Sequence, residues 1–155
     1  MTNTFQDIQN EIQELVVQWA PKLQDIPETV LNNHRNKQNR TIKQILGHLT
    51  DSAVNNHHRV VRLQYNEDLN FPDYRQDNDT WIRIQNFQNE NWGDLVTFWK
   101  YYNIHLVHVI ANINSSCLKN SWRDFEGTVE TLDSVVKGYL WHLNLHLGEI
   151  GELIY

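Results

Sequence analysis

The chain has 155 residues, 40% of them hydrophobic, which suits one domain with a sizeable core. Acidic residues outnumber basic ones 19 to 13 and the formal net charge is -6, with no basic stripe, so a nucleic-acid partner is not expected. No apolar run is long enough to cross a bilayer, and the single Cys117 excludes an internal disulfide, zinc-finger spacings and paired-cysteine redox chemistry.

The N-terminal stretch MTNTFQDIQNEIQEL is polar and has neither the basic nor the apolar segment of a signal peptide, so a cytoplasmic protein is expected, without a membrane partner. No glycine-rich phosphate loop occurs.

Four long helical patterns follow in chain order. Residues 4–23 carry Ile8, Ile12, Leu15, Val16 and Trp19 at three- and four-residue steps, and Pro21 and Pro27 are expected to mark the end and the loop beyond. Residues 41–65 repeat the pattern from Ile42 to Leu63, with Val61 on the apolar side and Thr41 or a neighbour as the N-cap. Residues 92–113 form a broad stripe that includes Leu95, Phe98, Trp99 and Leu106, with Asn91 as N-cap. Residues 132–154 follow Thr131, a further N-cap, and Gly138 suggests a close approach by another helix. Between the second and third patterns lies a polar stretch, residues 66–90, with a short helix expected around 81–87. About 25 extended residues reach ~80 Å, whereas a helix of about 24 residues is only ~36 Å long. The crossover can therefore traverse the bundle and start the third helix parallel to the second. The expectation is an all-α, four-helix bundle of up-down-down-up connectivity in a single domain, 1–155. A hairpin closed near Glu126-Gly127 would fit residues 117–131.

His142 and His146 are four apart, so on a helix their rings leave one face, a turn apart, and can grip one transition metal. A third imidazole from another helix would complete a site with a position left open for water or substrate. His48 stands about 10 Å into the second helix, and the pair ~12–18 Å from the end of the fourth. Antiparallel helices would bring the three level. His57 is about 180° around the helix from His48 and cannot share the site. His34, His58, His105 and His108 are read as ordinary surface or hydrogen-bonded residues. HExxH and ExxH are both absent, which excludes a zincin protease and a di-iron carboxylate bundle.

Asp51 could orient His48, and Glu149 could accept from His146 or ligate the metal itself. Ser52, Asn55 and Arg59 lie within about 40° of His48 around the helix. Asn55 and Arg59 are the substrate-binding candidates, since an Arg near a metal can hold a carboxylate in a bidentate pair. A packing amide and a structural ion pair are the alternatives. Trp141 could wall the pocket.

ILGHLTDSAVNNHHRVVRLQ and TLDSVVKGYLWHLNLHLGEI resemble the second and fourth helices of the DinB-like superfamily, and NWGDLVTFWKYYNIHLVHVIANI with FPDYRQDNDTW resembles its third helix and crossover. The resemblance implies the up-down-down-up bundle and metal ligands at His48, His142 and His146. It also implies one divalent ion per chain (zinc, nickel, iron or manganese) and frequent homodimers. Relatives of that kind include the YfiT-type bacillithiol transferases and the metal-binding domain of mycothiol-dependent maleylpyruvate isomerase. They imply a low-molecular-weight thiol and an electrophilic small molecule as partners. Here Leu145 stands where many relatives carry another histidine, and Asn39-Arg40 replace an aromatic residue. The readings left open are a metal-dependent thiol S-transferase or hydrolase, a non-catalytic metal-binding bundle, and a structural dimer with an empty site. The catalytic residues stay unassigned.

Overall fold

The structure, a computed structural model, describes residues 4–69 and 76–155. Its elements run α1 (Gln6–Gln24), α2 (Glu28–Asn33), α3 (Ile42–Leu63), β1 (Asp68–Leu69), α4 (Asn78–Gln85), α5 (Trp92–Ala111), β2 (Ser121–Arg123), β3 (Val129–Thr131) and α6 (Leu132–Ile154). The expected long helices are α1, α3, α5 and α6. Part of the crossover sequence FPDYRQDNDTW, residues 71–75, lies outside the described residues.

Side-chain caps set where the helices begin. Thr41 accepts from the Gln44 N–H while Gln44 reaches back to the Thr41 N–H, and Thr131 and Ser134 repeat that reciprocal pattern at α6. Asn91 accepts from the Asp94 N–H at the start of α5. Pro21 does not end α1. It lies in the last turn, where its missing N–H costs one hydrogen bond, and the helix continues to Gln24. Pro27 instead precedes α2, a short helix in what the sequence suggested was loop.

Contacts between helices give their directions. The Trp92 indole N–H at the start of α5 donates to the Leu23 carbonyl at the end of α1 (2.7 Å), and Gln13 shares a hollow with Val107 and His108, so α1 and α5 are antiparallel. Lys43 near the start of α3 donates to the Glu90 carbonyl just before α5 (3.4 Å), while His57 further along meets Tyr102 and His105. These two helices are parallel. His48 meets His142 and His146, whereas Arg59 shares a cavity with Val135, so α3 and α6 are antiparallel. Asn144 donates to Glu11 and Trp19 approaches Gly151, making α1 and α6 parallel. The result is the up-down-down-up bundle.

The core is filled from all four helices, with Ile12, Leu46, Trp99 and Leu143 each fully buried. Each such side chain contributes about 1.5–3 kcal/mol by leaving water. Val61 and Phe98 are exposed, because the apolar stripes are wider than the contacts that cover them. One polar bond crosses the core: the Tyr139 hydroxyl donates to the Asn103 carbonyl oxygen, and burial raises the phenol pKa so that it stays a neutral donor.

The short elements close the ends. β2 and β3 form the expected hairpin, with Gly127 at φ +85, and β1 adds a parallel strand beside β2. The crossover carries α4 and then a single 3-10 turn, Phe87–Asn89. That turn sets the Phe87 ring against Gly47, where an added Cβ would lie 2.2 Å from a ring carbon. The close approach suggested for Gly138 therefore occurs at Gly47, and Gly138 faces open space.

Candidate metal centre

Three imidazoles converge where α3 and α6 pack. The His142 Nε2 lies 3.2 Å from the His48 Nε2 and 3.1 Å from the His146 Nε2. His48 and His146 are buried and His142 is partly exposed; among the described residues no other group of three or more His, Cys, Asp or Glu side chains clusters closely enough to hold an ion. Three nitrogens around a tetrahedral ion, with metal–nitrogen bonds of 2.0–2.1 Å, stand roughly 3.3 Å apart. The spacing therefore fits a divalent ion of zinc's kind. Hydrogen bonding alone does not account for it fully, because the His142 Nε2 has either one proton or one lone pair and faces two neighbouring nitrogens.

The opposite edges of the rings support that reading. A ligating Nε2 needs its lone pair, so Nδ1 must carry the proton and donate it elsewhere. The His146 Nδ1 donates to the Glu149 carboxylate at 2.9 Å, and the His142 Nδ1 lies 3.2 Å from the Ser52 hydroxyl. The His48 Nδ1 is buried without a partner among the described residues. Asp51 does not orient it. The Asp51 carboxylate instead accepts from the Gln85 amide of α4 at 2.9 and 3.0 Å.

Burial, then the neighbouring His142, His146 and Arg40, holds the His48 pKa down to about 3. Burial, then His146, lowers His142 to about 4, with Glu149 opposing. Both rings are neutral near pH 7, the state a metal requires. Asp51 is shifted the other way: burial raises it to about 6 against the Gln85 hydrogen bond.

Asn36 escaped the sequence reading. Its amide donates to the same Glu149 oxygen that accepts from His146, at 3.3 Å, and its own side-chain oxygen accepts the Gln38 and Arg40 N–H groups. The turn before α3 is thus tied to α6. Only the Asn at a tight turn, completed by Asn39 at φ +63, hinted at a local role.

A cavity of about 400 Å³ adjoins His142 and is lined in part by Ser52, Arg59, Trp122, Glu130 and Trp141. The Arg59 guanidinium lies over the Trp122 ring, 4.2 Å from its centre. Asn55 does not line this cavity; its amide donates to the Gln76 side chain at 2.5 Å. A larger hollow, about 690 Å³, lies near Trp19, Pro27 and Gly151 and includes none of the histidines, so it lacks the chemistry of the first.

No family model and no curated protein sequence matches this chain significantly. Among solved structures, YfiT from Bacillus subtilis superposes with a TM-score of 0.85, over 99% of this chain and 87% of that one, at 15% identity. The fold is that of YfiT. YfiT is described as a probable metal-dependent hydrolase with an unusual four-helix bundle topology. Nearly the whole chain takes part in the match, so the YfiT-like bundle includes both helices that bring the histidines together.

Proposed function

We propose that this chain is a DinB-like, metal-dependent enzyme acting on a small molecule, with His48, His142 and His146 holding one divalent ion. The observation that carries the proposal is the convergence of three Nε2 atoms beside a cavity that reaches His142. Bound there, a zinc-like ion would act as a Lewis acid and lower the pKa of a water or thiol. Hydrolysis is the first reading, in line with the description of YfiT.

Transfer of a low-molecular-weight thiol to an electrophile is the second. It is favoured by the position of Cys117, whose thiol is directed at the Gln64 carbonyl in the hairpin region, so the chain offers no cysteine nucleophile at the histidines. In both readings Glu149 and Ser52 orient the imidazoles, and Asn36 steadies Glu149. Arg59, its face stacked on Trp122, lines this cavity and is the group proposed to attract an anionic part of the substrate. Asn55 acts on the substrate side through Gln76, fixing that part of the crossover against α3. The assembly is a homodimer, for which the exposed Phe98 and Tyr101 of α5 offer apolar surface.

The test is cobalt substitution followed by a panel of small thiols and of ester and amide substrates. A shift in the cobalt spectrum on adding thiol, with turnover of an electrophilic acceptor, supports transfer. Turnover of an ester or amide without thiol supports hydrolysis. Arg59→Ala should retain the ion while lowering kcat/KM for anionic substrates. A stably bound ion, with neither spectral response nor turnover, would assign the site to a non-catalytic bundle.

A further inference from the structure

Five of the eight histidines lie outside the metal centre, and four of these are on the later part of α3 and on α5. His57 and His58 belong to α3, and His105 and His108 to α5. The His57 and His105 rings are 5.2 Å apart between centroids and meet edge to face at 88°. In the metal centre the corresponding ring pairs are 4.4–5.1 Å apart, with interplanar angles of 65–84°. Two imidazoles bound to one tetrahedral ion place their ring centres ~5 Å apart, given metal–nitrogen bonds of 2.0–2.1 Å. The His57–His105 pair thus has the spacing and attitude of a ligand pair.

A further contact fixes one of these rings. The His57 Nδ1 lies 2.8 Å from the Tyr102 hydroxyl. With Nδ1 protonated, it donates to that oxygen and leaves the Nε2 lone pair for an ion, the same arrangement that Glu149 produces at His146. His108 is next to His105, with ring centres 6.4 Å apart, and His58 is 6.0 Å from His57. His58, His105 and His108 are exposed and His57 is partly so, which gives the rings room to close on an ion.

We propose that His57 and His105 form a second, surface site for a first-row transition ion, a two-imidazole pair with water completing the coordination. Neutral imidazoles select Cu²⁺, Ni²⁺ and Zn²⁺ over Mg²⁺ and Ca²⁺, and copper binds ahead of nickel and zinc. Having fewer buried and pre-oriented ligands, the site binds more weakly than the three-histidine centre. It does not depend on the catalytic proposal, because its residues touch none of those at the first site.

The experiment is titration of the full-length, metal-free protein with Cu²⁺ and Zn²⁺, counting bound ions by equilibrium dialysis, with copper electron paramagnetic resonance to detect nitrogen ligands. Wild type should bind two ions per chain in distinguishable steps. His105→Gln, an exposed substitution, should lose the weaker ion and keep the tighter one, and His57→Gln should do the same. His142→Ala should lose the tighter ion and keep the weaker, whose spectrum should show imidazole nitrogens. A wild-type stoichiometry of one that falls to zero in His142→Ala would overturn the second site while upholding the first. A second ion that persists unchanged in both His105→Gln and His57→Gln would overturn it as well.

Discussion

α3 carries histidines on two opposite faces, and the two faces show what packing does to one side-chain type. On the α6 side, His48 is buried against two more rings whose Nε2 atoms meet at one point. On the α5 side, His57 meets Tyr102 and His105 at a seam open to solvent. Burial is the largest cause of the lowered pKa on both faces, but only on the α6 side is the shift large enough to bring His48 to about 3. The difference comes from neighbours. An antiparallel helix with an i, i+4 pair delivers two rings to one height, whereas the parallel α5 delivers one ring beside His57 and a second a turn further on.

The sharpest way to separate the faces is by alanine substitution. His48→Ala, His142→Ala or His146→Ala should each abolish the tight ion at micromolar protein, measured by metal analysis, whereas His57→Ala and His105→Ala should retain it. A His48→Ala protein with full metal content would break the distinction. Glu149→Gln removes the carboxylate that holds His146, and a weakening of metal affinity by about 10–100-fold is expected. Asn36→Ala should weaken it less, because Asn36 acts only through Glu149.

Packing rather than chemistry governs the next effect. Gly47→Ala puts a methyl group into the Phe87 ring, and a stability loss of about 1–3 kcal/mol is expected in urea unfolding. Gly138→Ala, with open space around it, should be neutral or slightly stabilising, since alanine is the better helix former.

The smallest effects lie in pH dependence. His48 and His142 have folded pKa values of about 3 and about 4, below the ordinary 6.5, so the unfolded chain takes up their protons first. Their contribution to metal-free stability is therefore full above about 6.5 and is lost as pH falls through about 4 for His142 and about 3 for His48. Asp51 is opposite in sign. Its pKa is raised from 3.8 to about 6, so its contribution is present below 3.8 and lost as pH rises through 6. Asp51→Asn should thus raise the melting temperature at pH 8 and do little at pH 4. A larger gain at pH 4 than at pH 8 would refute that assignment.

Much of this was legible in the sequence, and the reasons are local. Thr41, Asn91 and Thr131 announced helix starts because capping is short-range chemistry, and the HxxxH pair announced a shared face because helical period is fixed. The crossover length allowed the parallel start of α5. What escaped depends on contacts between distant segments. Asn36 reaches Glu149 only because a turn folds beneath α6, and Asp51 turns to Gln85 because α4 packs beside α3. Gly138 and Gly47 look alike in a helical string; the Phe87 ring, brought by the crossover, distinguishes them. His105 is exposed, as its place on α5 suggests, but its ring also meets His57 because α3 and α5 run parallel, a contact that spacing along one helix cannot show.

Everything proposed for the α3–α6 seam turns on three imidazoles holding one ion with a position left open. X-ray absorption at the zinc edge, on protein loaded with one equivalent, tests it most directly. Three imidazole nitrogens at about 2.0–2.1 Å, with their outer-ring scattering at longer distance, and one further light atom are expected. That further scatterer should be lost or replaced when a small thiol is added. A shell containing sulfur before any thiol is added, or one dominated by carboxylate oxygen with fewer than two imidazoles, would contradict it.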